Sequence, residues 1–437
     1  MSATFASLKV PNYRLWFGAA LVANVGTWMQ RIGQDWLVLT VLTNNSGTAM
    51  GIVTACQFLP FLLLSPYAGV LADRLPRRRL LVATQSASGL LAFILGALTI
   101  FGHVQLWHVY GMALLLGMVS AIDTPVRQTF VGDLVGNDLL PNAVGLNSAS
   151  FNAARMIGPG IAGLLVSWVG PGLVFIINGV SFAATVLALA VMNPAALAIQ
   201  KSVVREKGQL REALGYLHDR RDIVLLMIVM GVVSVFGLNF QIVNALMARV
   251  QFGEGAGEFG IVGSVMGIGS LAGALLAARR EHPKVSTVLG AGLGFAVALA
   301  LAAAMPSYLT YALATIPMGF AALTMMTAAN ATLQTTTSPE MRGRVMALYM
   351  MIFNGASPVG AMGIGWIGEH FGPRWSLMIG AFGVFTVCAL AASWAGHKSA
   401  AFNAAGIVPF AKTHASHLSV IAGLTRNPAP GLLSLRA

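Results

Sequence analysis

Gly69-Val70-Leu71-Ala72-Asp73-Arg74-Leu75-Pro76-Arg77-Arg78-Arg79 separates two long apolar runs, residues 50–72 and 80–101. Five charges set between such runs cannot sit in hydrocarbon, so the stretch is a tight turn at a membrane surface. Four of the five are arginine, and basic loops stay on the cytoplasmic side. Pro76 lacks the N–H that would continue a helix and ends the first run sharply.

The rest of the chain agrees with a membrane setting. Of 437 residues, 57% are hydrophobic and 9% charged, with a mean hydropathy of +0.76. Soluble domains are roughly a quarter charged. Backbone groups in lipid need internal partners, which leaves helices or a closed barrel. The apolar runs are continuous and do not alternate, which excludes the barrel. A net charge of +12 suggests nucleic acid until the 26 Lys and Arg are placed. Most fall in stretches assigned to the inside, Arg249 and Arg374 fall outside, and Arg31 and Arg155 lie within helices. That asymmetry is topology, so no nucleic-acid partner is expected. Cys56 and Cys388 sit in apolar runs and read as small buried hydrophobes. Residues 1–14 are short and polar, and the first apolar run is too long for a cleaved signal core.

A crossing helix needs about 20 apolar residues. Twelve candidate spans meet this: 15–42, 49–72, 80–101, 105–124, 142–168, 171–193, 223–247, 258–278, 285–304, 308–330, 345–368 and 373–395. The expected architecture is an all-α membrane protein with twelve transmembrane helices in two six-helix, pseudo-symmetric bundles and both termini cytoplasmic. Its parts are an N-terminal bundle (1–193), a cytoplasmic linker (194–222), a C-terminal bundle (223–396) and a disordered tail (397–437). Within the linker, Leu210–Leu217 has helical periodicity with its charges on one side, which predicts an interfacial helix. The halves echo each other at Ala68-Gly69-Val70-Leu71 and Ala272-Gly273-Ala274-Leu275, and at Pro159 and Pro358.

The pattern G-x-L-A-D-R-x-x-R-R resembles the loop between helices 2 and 3 of the major facilitator superfamily. The resemblance implies that Gly69, Asp73, Arg74, Arg77 and Arg78 form the cytoplasmic gate, with Asp73 facing the start of helix 11 near Val345. The rival reading is a plain positive-inside anchor, which leaves Gly69 and Asp73 without a role. In helix 5, Gly158-Pro159 with Gly163 resembles the antiporter motif of drug–proton exporters, although Ala162 stands where that motif has its first paired glycine. By spacing alone these are helix-packing residues.

Charges inside spans are costly and mark functional candidates. Arg31 and Asp35 are four apart on one face of helix 1 and can pair. Arg31 lies roughly 24 Å along the helix from Leu15. The pair reads either as a neutralised structural bridge or as a substrate or proton site. Arg155, on helix 5, is expected to face the cavity or a partner such as Asp123, which a helix-end cap also explains. Asn239, Gln241 and Asn244 in helix 7, with Met325, Met326 and Asn330 in helix 10, offer an adaptable surface for a hydrophobic or amphipathic substrate.

Gly267-Ile268-Gly269-Ser270-Leu271-Ala272 fits a dinucleotide fingerprint but lies inside an apolar helix with no strand before it. No Walker sequence, clustered nucleophile or metal-ligand spacing is present, so neither an enzyme nor a cofactor or metal site is expected. Longer stretches resemble bacterial exporters related to the enterobactin (siderophore) efflux pump, among them Gly26-Thr27-Trp28-Met29-Gln30, Gln34–Leu39, Asp123–Gln128 and Arg342–Met346. The expectation is an inner-membrane exporter, working as a monomer in lipid, that exchanges a small drug-like compound or siderophore for protons. Within the expected helix 4, Trp107 to Thr124, the arginine carried there by many drug–proton antiporters has no counterpart. Proton-coupled uptake, or a non-transporting sensor, is the alternative.

Overall fold

The computed structural model describes residues 3–198, 209–278 and 284–404. The expected tail from 405 and the linker basic residues Lys201, Arg205 and Lys207 lie outside the described residues. The described chain is helical throughout, with no strand among those residues. A short helical turn, Ala3–Lys9, precedes α1 (Pro11–Trp36), which continues through a wider π turn, Leu37–Leu42. Next come α2 (Gly47–Arg74) and α3 (Arg77–Ile100). The run Leu106–Val191 follows, broken at Gly136 (φ 72°) and Gly170 (φ 78°) into α4 (106–135), α5 (137–169) and α6 (171–191). Positive φ at both breaks is a conformation that glycine alone adopts without strain.

The C-terminal half opens with the helix Gln209–Asp219, where the linker helix is expected. α7 (Arg221–Phe236) is interrupted at Gly237 to Asn239 and resumes as Phe240–Leu246. Then follow α8 (Ala256–Ala278), α9 (Val285–Ala304), α10 (Tyr308–Thr336), α11 (Pro339–His370) and α12 (Pro373–Ala404). Nine helical runs among the described residues are long and apolar enough to cross a membrane, with Leu106–Val191 counted once. Residues up to Cys388 form one compact unit that holds every site below, and a second unit begins at Ala389.

Three boundaries differ from expectation. Residues 125–141 are not a loop, because α4 runs through Pro125 to its break at Gly136. α11 begins at Pro339, which puts the Val345 amide inside the helix, where it no longer offers an unpaired N–H to an anion. α12 passes residue 395, the expected end of the twelfth span, and reaches Ala404.

The helices form a bundle with a basic end, marked by the α2–α3 turn, and an opposite end, marked by Asn45 and Ser46. At the opposite end one apolar core draws on both halves. Leu37, Leu39, Met50, Val53 and Phe175 meet Leu246, Phe259 and Ala361 there. At the basic end a second core, built on Tyr13, Trp16, Leu81, Phe130 and Leu189, is formed from the N-terminal half. Glycines draw α2 onto α11 and α5 onto α8 toward the opposite end. A Cβ on Gly51 would lie 2.6 Å from the Ala361 carbonyl oxygen, and one on Gly163 would lie 2.5 Å from that of Ala256. Such approaches are open to small residues only. The Glu369 carboxylate adds a polar tie, accepting from the Ser46 hydroxyl (2.8 Å) and the Thr48 N–H (2.9 Å) at the start of α2.

Candidate functional site

Below that joined end the halves enclose a cavity of about 240 Å³. Its wall is built around Trp28. Gly158 of α5 leaves room for this side chain, since a Cβ there would come 2.7 Å from Trp28 Cβ. Phe151 packs edge-on against the indole, with centroids 6.0 Å apart. Two guanidinium groups share the indole, Arg31 at 5.1 Å and Arg155 at 6.0 Å from its centroid. Arg31 comes from the same helix, three residues on, and Arg155 from α5. Across the cavity stand Asn239, Phe240, Gln241 and Met266 of the C-terminal half, with Met326 and Asn354. The lining carries two arginines and no Asp or Glu.

The expected Arg31–Asp35 pair is not formed. Asp35 is buried, and no ion pair joins it to Arg31 among the described residues. Spacing of four allows such a pair, but Trp28 lies on the same helical face and its ring takes the guanidinium. Arg155 does not reach Asp123 either. Asp123 is inside α4, not at its end, and is fully engaged. Its Oδ1 accepts from Thr84 Oγ1 (2.7 Å) and Gln85 Nε2 (2.8 Å), and its Oδ2 from Arg127 Nε (2.9 Å) and Nη2 (2.7 Å). This cluster lines a second, more polar cavity of about 520 Å³ within the N-terminal half, which Gln34, Gln57 and Gln85 also face and which meets the first at Arg31, Phe58 and Asn354.

The amides of the C-terminal half divide by role. Asn239 donates back to the Val235 carbonyl (2.7 Å) where α7 is interrupted. Asn244 accepts from the Tyr311 hydroxyl (2.6 Å) and is committed to packing. Gln241 differs, because its Nε2 is buried without a protein partner beside the cavity. Asn330 Oδ1 is also unpartnered, while Met325 is fully buried in the core.

At the basic end, Gly69 and Asp73 fall in the last turns of α2, and the partners of the Asp73 side chain lie outside what is described. Arg74, at the helix end, is exposed. Arg77 donates to Asp133 at 2.7 Å, and Arg78 donates to the carbonyls of Leu189 (2.7 Å) and Ala190 (2.9 Å) at the end of α6. A cation at a helix C-terminus satisfies carbonyls with no helical partner. Both arginines therefore bind within their own half. Along α5, Gly158 faces α1 at Trp28, while Pro159 and Gly163 lie where α5 meets α8. There the Gly160 N–H donates to Ser264 Oγ at 2.9 Å, and Gly260 packs on Gly163. Among the described residues no group of His, Cys, Asp or Glu is placed to hold a metal.

Sequence reasoning missed Trp28 as the platform, Gln34 and Gln85 as chamber walls, Asp133 as the anchor of Arg77, and Glu369 as the tie between halves. The i, i+3 spacing of Trp28 and Arg31 was the one signal available for any of them.

The family model described as transmembrane secretion effector matches residues 2–422. Among curated relatives, the staphyloferrin A transporter of Staphylococcus aureus is 37% identical over 155 residues, which is 35% of this chain and 38% of that protein. The multidrug efflux pump Tap of Mycolicibacterium fortuitum is 27% identical over 353 residues, covering 78% of this chain and 85% of its own length. In fold, a bacterial homologue of the human lysosomal transporter Spinster superposes with a TM-score of 0.71 at 15% identity, covering 87% of this chain and 96% of that one. The chain belongs to the transmembrane secretion effector family and is a multi-pass membrane transporter of the major facilitator superfamily.

Proposed function

We propose that this transporter is a secondary exporter of a small amphipathic molecule, working by alternating access with twelve crossings and both termini cytoplasmic. The observation that carries the reading is the one-sided joining of the halves. Core, glycine contacts and the Glu369 tie gather at the opposite end, over cavities that lie toward the basic end. With the basic end inside the cell, this is the inward-facing arrangement in which substrate enters from the cytoplasm. The likeness to an efflux pump over most of both chains supports export.

Proton antiport fits the buried carboxylates of the N-terminal half, Asp35, Asp123 and Asp133, of which Asp133 is held by Arg77. Asp123 already has four donors, and we assign it to structure. Asp35 has neither a hydrogen bond nor an ion pair among the described residues, and we assign the coupling proton to it. Gly69, Asp73, Arg74, Arg77 and Arg78 remain the proposed inner gate, with Arg77 and Arg78 released or retained as the halves close there.

Everted membrane vesicles with an imposed pH gradient test the reading. Accumulation of an amphipathic dye when the lumen is acid, collapsing with a protonophore, is expected. Accumulation only when the lumen is alkaline would make the protein an uptake carrier.

A further inference from the structure

The cavity beside Trp28 holds an unbalanced set of hydrogen-bonding groups. Arg31 and Arg155 make no hydrogen bond and no ion pair among the described residues; their recorded partner is the indole face. Gln241 presents a buried Nε2 with no acceptor to the same space. Gln34 Nε2, equally unpartnered, lies in the adjoining chamber. These groups are all donors, and no carboxylate lines the cavity. Asp35, one turn along α1, is buried outside that lining and bridges to neither arginine.

Magnitudes decide what this arrangement serves. Placing an arginine at membrane depth costs more than a single cation–π contact returns. The indole therefore orients the two groups without offsetting their cost. An anion would meet both charges and the Gln241 N–H at once, and a guanidinium fork matches a carboxylate in two parallel hydrogen bonds. The remaining wall is apolar and adaptable: Phe58, Phe240, Met266 and Phe353.

We propose that Arg31 and Arg155, held on Trp28 and joined by Gln241, form the recognition site for the carboxylate head of an amphipathic organic acid, whose apolar body rests on the facing Phe and Met side chains. This deepens the export reading and rests on it for what happens after binding. The binding step itself can be measured separately.

The test uses full-length protein in nanodiscs and three probes of one shape: 2-naphthoate, its methyl ester and the matching naphthylmethylamine cation. Calorimetry is expected to rank the carboxylate first. Arg31→Gln and Arg155→Gln are each expected to weaken it about tenfold or more while leaving the ester unchanged. Arg155→Lys keeps the charge and should retain part of the affinity, which a merely structural role would not predict. Equal or tighter binding of the ester or amine overturns the proposal, as does failure of the carboxylate to bind or its indifference to both Gln variants. Vesicle transport of the ester or amine in that case would leave export standing and the anion site refuted.

Discussion

At the residue scale, two of the buried acids of the N-terminal half, Asp123 and Asp35, make opposite forecasts. Asp123 takes four hydrogen bonds, two of them from a guanidinium that also lies 5.6 Å over the Trp16 ring. Asp123→Asn leaves Arg127 without its counter-ion and should lower stability by about 1.5–3 kcal/mol, read as a drop in melting temperature in detergent. Asp35 has no such partners. Asp35→Asn removes a desolvated charge, so it should leave stability unchanged or raised while abolishing the response of transport to a pH gradient. An Asp35→Asn protein that still follows the gradient would remove Asp35 from coupling. The contrast was not legible in the sequence, where both acids look alike. Asp123 reads there as a helix-end cap or a partner of Arg155, and Asp35 reads as paired because Arg31 precedes it by four.

At the element scale, most helices could be placed from hydropathy alone; α9 matches its expected span at both ends. Failures arose where polar residues and proline mimic a loop. Residues 125–141, left between two expected spans, are absorbed by α4 and α5, which turn on Gly136 alone. The α5 motif was legible as small residues, but not as the surface against which α8 of the other half is laid. That contact carries a prediction. In Gly260→Leu the new side chain meets the Pro159 carbonyl and Gly163, whose Cα would lie 2.8 Å from the added Cβ. Overpacking of this kind costs about 1–3 kcal/mol. The variant should open the far end of the bundle, exposing Ser264→Cys, in a protein with Cys56 and Cys388 replaced by alanine, to a membrane-impermeant thiol reagent added outside. Glu369→Ala, at an exposed tie, should raise the same labelling by a smaller factor. No change in labelling for Gly260→Leu would show that α5 and α8 do not form the outer seal.

At the scale of the whole molecule, two halves share one compact unit because they are joined at one end. Alternating access requires that joint to break as another forms at the basic end, where Arg74 and Arg342 are exposed on opposite halves. A substrate moves that equilibrium only by its difference in affinity for the two states. The direct measurement is a pair of inter-half distances by spin labelling, with Cys56 and Cys388 replaced by alanine. One pair, Asn44→Cys with His370→Cys, reports the far end; the other, Arg74→Cys with Arg342→Cys, reports the basic end. Alternating access predicts that acidifying the far side of proteoliposomes, or adding transported substrate, shifts the two in opposite senses, one lengthening as the other shortens. Distances that stay fixed, or that lengthen together, would contradict it.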